Sequence, residues 1–452
     1  MSKIRLHGTS SGYTDIAPTA AAGNNTLTAP TGTGTLVAKD AAGAIGITSV
    51  QATNANFSGT TRVTTGISTT LQVGGVNVLN SDGVNTTGIV TAKTFVPTEG
   101  QLSHRNLLVN GAMTVNQKGN LTHNSDGYQV ADMWWWGKYS TDQLVTTQAN
   151  VTNDHPDEFD HSYKLSVATA ETTLDSNEYG ILRTRIEGQN LQHLKTGTSS
   201  AKPITLSFWA KTGSANSGDT YSICIVMGDI SGNDRIQYRT FAPTSTWQRF
   251  TMSFVGQENN QIRNDADYGL TIHYVLAAGS SKVTSANTTW SLNTSVKGVT
   301  GQSNFFDNTS NEFYVTGVQL EVGSVATPFE HRSYGDQLKL CKRYYQQYPE
   351  LAADGYAPYP GSGAAIMTTT SAGWAMNYDT MRAAPTVSWT GNHRMVELNA
   401  DRAVTGFAAY HGSASTGWMV ITASGGGMTA GNAAIVGRNN DTSAFIKFTA
   451  EL

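Results

Sequence analysis

Three consecutive tryptophans, Trp134-Trp135-Trp136, sit inside the run YQVADMWWWGK. Side chains on a strand alternate between its two faces, so Trp134 and Trp136 share one face and Trp135 takes the other. All three therefore cannot be core. Further along, YGILRTRIEG places Tyr179, Ile181, Arg183 and Arg185 on one face and Gly180, Leu182, Thr184 and Ile186 on the other. A flat aromatic beside forked guanidinium donors suits a sugar, whose C–H face packs on the ring while its hydroxyls take directed hydrogen bonds. Towards the carboxy terminus, His393, Arg394, Tyr410, His411 and Trp418 are able to hold a polar ligand, and no spacing singles one out. The loops HGSASTG and TASGGGMTAGN would lie at the far tip, where recognition residues concentrate, and the loops around His411 and Trp418 are the candidate place there, plain turns being the alternative.

Other chemistries leave less trace. The densest polar cluster, Asn153-Asp154-His155-Pro156-Asp157-Glu158-Phe159-Asp160-His161, could supply oxygen ligands to calcium. It lacks the Asp-x-Asp-x-Asp-Gly spacing of a loop site and precedes a strand, where a solvated loop is the ordinary outcome. Glu171, Asp175 and Glu178 are spread out, and a hydrolytic carboxylate pair does not stand apart from solvated surface there. There is no Gly-x-Ser-x-Gly elbow, no His-Glu-x-x-His, no Walker loop and no Cys-x-x-Cys. The expectation is a protein without catalytic activity, cofactor or bound metal. Cys224 and Cys341 lie far apart in strand-like and helix-like runs, which predicts two buried free thiols, a disulfide being the lesser alternative.

The elements that must position these residues are unevenly distributed. At 452 residues the chain is long enough for two or three domains. All nine Trp lie between Trp134 and Trp418, whereas the first hundred residues hold only Tyr13, Phe57 and Phe95 as aromatics. With 29 Lys and Arg against 33 Asp and Glu, a net charge of −4 gives no basic footprint for nucleic acid. No apolar run approaches the length of a membrane span, and MSKIRLHGTSSGY has no apolar signal region. The sequence therefore predicts synthesis in a cytoplasm and no membrane insertion.

Residues 1–104 form a Gly/Thr-rich arm. Strand-like pieces at 35–38, 45–50, 71–73, 76–79 and 89–96 are punctuated by glycines, and Thr-Thr-Gly-Ile occurs at 64–67 and again at 86–89. So few large side chains leave strand edges uncovered, and winding three copies about one axis would cover them and pool the small Val, Ile and Leu side chains. The arm reads as a homotrimeric fibre; the alternative is a flexible spacer.

Residues 105–332 are rich in short strands: 107–117, 128–138, 163–169, 179–188, 203–211, 220–228, 235–241, 247–255, 268–276 and 312–323. Turn clusters such as TGSANSGD separate them, which predicts an antiparallel sandwich of the jelly-roll kind. In residues 313–348, FYVTGVQLEVGSVATPFEHRSYGDQLKLCKRYYQQY, a closing strand gives way to a helix over 333–348, with Ser333 and Asp336 as a cap, Leu338, Cys341 and Tyr345 on one face, and Pro349 as a stop. A Pro/Gly-rich hinge follows over 349–362. Seven strand signals over 363–452 make a small β domain. The fold class is thus all-β, with one short helix.

The series NLLVNGAMTVNQKG, YQVADMWW, ITLSFWAKTG, STWQRFTMSF and the 313–348 segment resembles the carbohydrate-binding-module-like jelly-roll domain of tail fibres of tailed bacteriophages, including cyanophages. The opening KIRLHGTSSGYTDIAPTAAAGNN resembles the virion-attachment region of such fibres, and Met381-Arg382-Ala383-Ala384-Pro385 an element of their distal domains. The resemblance makes Trp134 a core residue and leaves Trp135 as the outward candidate, with a place under a loop or at a subunit interface as the alternative. It further implies a structural virion protein of the phage tail, joined to tail or baseplate proteins by its amino terminus and contacting a host-surface glycan. A glycan-degrading tailspike and a capsid-mounted fibre or decoration protein remain the alternatives.

Overall fold

The computed structural model describes residues 4–7, 13–16, 71–73, 76–80, 83–84, 103–119, 126–139, 146–228, 232–292, 296–350, 353–359, 361, 364–398 and 400–452. The chain divides into two units, Met1–Thr94 and Phe95–Leu452. In the first, β1 (Ile4–His7) pairs antiparallel with β2 (Tyr13–Ile16), while β3 (Leu71–Val73), β4 (Val76–Asn80) and β5 (Gly83–Val84) form a small antiparallel sheet. β3 and β4 fall where the sequence sets strands. The Thr-Thr-Gly-Ile repeat and the strands read at 35–38, 45–50 and 89–96 lie outside the described residues.

The second unit opens with β6 (Trp135–Tyr139), β7 (Thr146–Thr152), β8 (Ser162–Thr169), β9 (Tyr179–Glu187), β10 (Ile204–Thr212), β11 (Tyr221–Met227), β12 (Arg235–Phe241), β13 (Gln248–Phe254) and β14 (Tyr268–Ala278). Short strands β15 (Val283–Thr284), β16 (Ser291–Leu292) and β17 (Gly298–Val299) precede the long β18 (Glu312–Val322). Two antiparallel sheets result, in the orders β13-β10-β18-β8-β7 and β16-β12-β11-β14-β9-β6. Alternation builds the core between them. Leu206, Phe208 and Ala210 of β10 face Leu270, Ile272 and Tyr274 of β14, and Phe208 meets Phe241 and Tyr274 edge to face at 5.3 and 5.1 Å. The expected all-β sandwich is therefore the fold.

Two strand readings are corrected. Residues 107–117 form turns, because Asn110 and Met113 hold left-handed φ of 58° and 57° and the buried Asn110 side chain binds the Val115 N–H and C=O itself. The segment docks sideways on β18, whose Val318 N–H donates to Gly111 O at 2.9 Å and whose Leu320 O accepts from Leu107 N–H at 2.8 Å. Of 128–138, only Trp135 onward is strand, since Met133 at φ 72° turns the chain just before it. In β18 the alternation itself slips at a bulge opposite Phe208, where Gly317 adopts φ +59° and a Cβ would lie 2.4 Å from the Phe159 ring.

Helix α1 (Tyr334–Lys342) begins as read, with Ser333 Oγ accepting the Asp336 N–H at 3.2 Å. It ends earlier than 348. Tyr345–Tyr348 is strand β19, which pairs with β27 (Phe445–Thr449), so Tyr345 does not continue the helical face of Leu338 and Cys341. β22 (Thr386–Thr390) flanks β27 on its other side, while β20 (Ala364–Ile366), β21 (Ser371–Asn377), β25 (Thr416–Ala423), β24 (Ala400–Gly412), β23 (His393–Glu397) and β26 (Ala433–Arg438) close a barrel in that order. Its interior is Met-rich, with Met376, Met395, Met419 and Met428 beside Trp374 and Ile421. The described part of the expected hinge is bound to this barrel: Tyr359 N–H donates to Val436 O, and the buried Arg438 donates to Asp354 O.

Barrel and sandwich meet through named contacts. Arg382, in the Met381–Pro385 phrase, donates to Ala450 O at 2.6 Å, Glu451 O at 3.0 Å and, across the junction, Ala266 O at 3.1 Å. Lys118 pairs with the largely covered Glu451. Both cysteines are buried and free, as expected.

Candidate functional site

β9 fixes the site by its register with two neighbours. Trp135 and Tyr139 of β6 stand opposite Arg183 and Tyr179, and on the other side His273 and Thr271 of β14 stand opposite Arg183 and Arg185. Leu182 and Ile186 enter the core, so Tyr179, Ile181, Arg183 and Arg185 face outward from the six-stranded sheet. Trp134 and Trp136 are buried, the Trp134 indole N–H donating to Asn110 O at 3.0 Å. Trp135 lies on the outer face, half-buried. Four of the sequence-derived candidates, Trp135, Tyr179, Arg183 and Arg185, are thus brought together on one face.

The arrangement differs from a bare aromatic floor. The Trp135 ring lies against Gly137, where a Cβ would be 1.8 Å from it, and the Arg183 guanidinium carbon sits 3.9 Å from the ring centroid. Arg183 also shares a hydrogen bond with the Tyr128 hydroxyl. Arg185 lies 4.7 Å over the Tyr268 ring, whose hydroxyl donates to Asp234 at 3.1 Å. Tyr179 stacks on the half-exposed Tyr139 at 5.8 Å and 17°, with the Lys297 ammonium 5.9 Å from its centroid. Three ring and cation units therefore run along the face. Beside them Ile181, Cys224, Val226, Ile236, Tyr238, Val275 and Val299 form an apolar cluster against which Trp135 and Tyr179 also pack.

The local field is positive. Burial holds His273 well below the ordinary imidazole range, reinforced by Lys297, Arg183 and Arg185, so it is neutral near pH 7. Lys297 is lowered by burial and by Lys282 and Arg183. Arg183 Nε, Arg185 Nε and His273 Nδ1 are buried without a hydrogen-bond partner among the described residues. Glu187, next on the same face of β9, is bound by Arg343 at 2.6 and 2.7 Å and by the Tyr344 hydroxyl at 2.7 Å.

His411 and Trp418 belong to a separate place, the outer wall of the barrel. They are cross-strand partners of β24 and β25, stacked at 5.9 Å and 21°, and Trp418 is 38% exposed. In the 153–161 loop, Asp154 is paired with Lys211 and accepts from Trp247 Nε1 at 3.1 Å. Glu178 accepts the Asp175 N–H at 2.7 Å. Among the described residues no group of three His, Cys, Asp or Glu side chains is placed to hold a metal ion, and no helix is long and apolar enough to cross a membrane.

Sequence reasoning missed Tyr139, Tyr268, His273, Lys297 and Tyr128. Tyr139 was within reach, four residues beyond Trp135 on one strand and hence on its face. The others reach the site through strand pairing and chain return, which local periodicity does not encode.

No protein-family model matches the chain, and no curated protein does. Among solved structures it is similar to the enzymatically active domain of tailspike protein 4 of bacteriophage CBA120, with 15% identity and a TM-score of 0.28 over 48% of this chain; the match spans about a fifth, 21%, of that chain. It is also similar to the family 11 carbohydrate-binding module of a Clostridium thermocellum cellulosomal cellulase, with 16% identity and a TM-score of 0.24 over 48% of this chain and 99% of the module. A third is the CBM22-1 xylan-binding domain from Paenibacillus barcinonensis, with 10% identity and a TM-score of 0.23 over 47% of this chain and 100% of that one. At these identities and scores no residue's role is carried across from any of them.

Proposed function

We propose that the outer face of the six-stranded sheet binds an oligosaccharide, and that the chain is a trimeric phage tail fibre that contacts its host through this face. The observation that carries the binding reading is the row Tyr139–Tyr179, Trp135–Arg183 and Arg185–Tyr268, in which rings and donors alternate along β9. Positions 179 to 185 span roughly 20 Å of strand, room for several sugar units. Rings offer C–H contact and guanidinium edges offer directed donors. The tail-fibre reading is supported by the order of small-residue arm, sandwich and terminal β domain and by the sequence resemblance; attachment to tail or baseplate proteins falls to residues 1–104.

Trp135→Ala with Arg183→Ala should weaken adsorption to host cells by on the order of 2 kcal/mol, about thirtyfold in Kd, while thermal unfolding stays within a few degrees. Unchanged adsorption with intact folding would defeat the site. The stacked, exposed His411–Trp418 pair favours a second reading, recognition on the barrel, and His411→Ala with Trp418→Ala would then carry the loss. Binding without cleavage is the proposal for the chemistry. Progressive release of oligosaccharides from host polysaccharide by purified protein would make it a tailspike instead. Imaging labelled amino termini on intact particles distinguishes tail from capsid mounting.

A further inference from the structure

Arg185 has no hydrogen-bond or ion-pair partner among the described residues and only the Tyr268 ring beneath it. Arg183 has a ring and a phenol, and no carboxylate. Lys297 likewise makes no ion pair, and its ammonium stands over Tyr179 on the same face. Of the carboxylates nearby, Glu187 is bound by Arg343 and Tyr344, while Asp234 accepts from the Tyr268 hydroxyl and makes no ion pair with Arg183, Arg185 or Lys297. Three cations thus gather on one sheet face of a protein whose net charge is −4.

Side chains of like charge are not normally held together unless something offsets their repulsion, and here each guanidinium is held over an aromatic ring. A fixed guanidinium presents paired N–H donors that match the two oxygens of a carboxylate. Arg183 and Arg185, two residues apart on one face, sit about 7 Å from each other along the strand. That is too far to share one carboxylate bidentately and close enough to take two along an extended chain. From this geometry we infer that the site selects acidic glycans, with uronate carboxylates meeting Arg183 and Arg185 and Lys297 adding charge at the Tyr179 end. The inference rests on the glycan-binding reading above and narrows it to sugar acids.

The test uses the full chain with polygalacturonate and alginate, each beside its carboxyl-reduced counterpart, in which the same backbone carries hydroxymethyl groups. Titration should show at least tenfold tighter binding to the acidic member of a pair, with affinity falling steeply between 50 and 500 mM NaCl. Arg185→Gln and Lys297→Gln should each collapse that ratio, and circular dichroism and melting temperature report whether either variant is misfolded; two separate variants keep the test open if one is. Equal binding to both members of each pair would overturn the acidic preference and leave the glycan reading standing. No binding to any of the four polymers would overturn both. A preference that survives both substitutions would place it elsewhere and overturn this assignment.

Discussion

Buried titratable groups give single residues a measurable signature. His393 is buried against the Tyr359 hydroxyl, and burial lowers its pKa to about 4. The unfolded imidazole titrates near 6.5, so His393 contributes stability that is full above that value and lost as pH falls through 4, about 3 kcal/mol in all. Glu451 acts in the opposite direction. Burial raises it to about 7 although Lys118 lies against it, so its contribution is full below the unfolded value near 4.5 and lost as pH rises through 7, again about 3 kcal/mol. The two offset each other across the same window. Glu451→Gln should therefore lose stability more steeply than the parent between pH 7 and 4 in urea titrations, and a parallel profile would refute the assignment. Glu187 belongs at this scale too. Glu187→Ala should cost roughly 3 kcal/mol by stranding Arg343 and the Tyr344 hydroxyl, and its melting temperature would show it.

Among the elements, strands were the most legible in sequence. Period-two alternation in Tyr179–Glu187 assigns both faces of β9 without help, and the same pattern locates the strands from β8 to β14. It failed where side chains bind the backbone locally. Asn110 does so in 107–117, a run whose apolar spacing resembles a strand. The end of α1 was also hidden, because Tyr345 fits helical spacing while its backbone pairs with Thr449 a hundred residues later. Site residues divide in the same way: those on β9 were readable, whereas Tyr268 and His273 depend on the register of β14 with β9. The bulge in β18 offers a direct check. Gly317→Ala should destabilise by roughly 1–3 kcal/mol, since φ +59° and the Phe159 ring 2.4 Å from a new Cβ both oppose it. Ser333→Ala should cost about 1 kcal/mol by removing the cap of α1, with chemical denaturation as the measure.

For the whole molecule, the chain divides into Met1–Thr94 and Phe95–Leu452, and the expected outcome is that the second unit folds without the first. Deleting residues 1–100 should leave its melting temperature unchanged and reduce the mass seen by light scattering from trimer towards monomer. A full-length chain that is monomeric at micromolar concentration would remove the trimer proposal. One feature of the barrel bears on how such a chain diversifies. Tyr345, the first residue of β19 beside the barrel, is the direct partner of Thr449, the last residue of β27. Entry and exit therefore lie side by side, so that any segment put in place of the one between them has to match this two-strand doorway and supply the contact that Arg382 makes to Ala266. A sandwich with such a doorway can change what it displays at its far side without redesigning its own core.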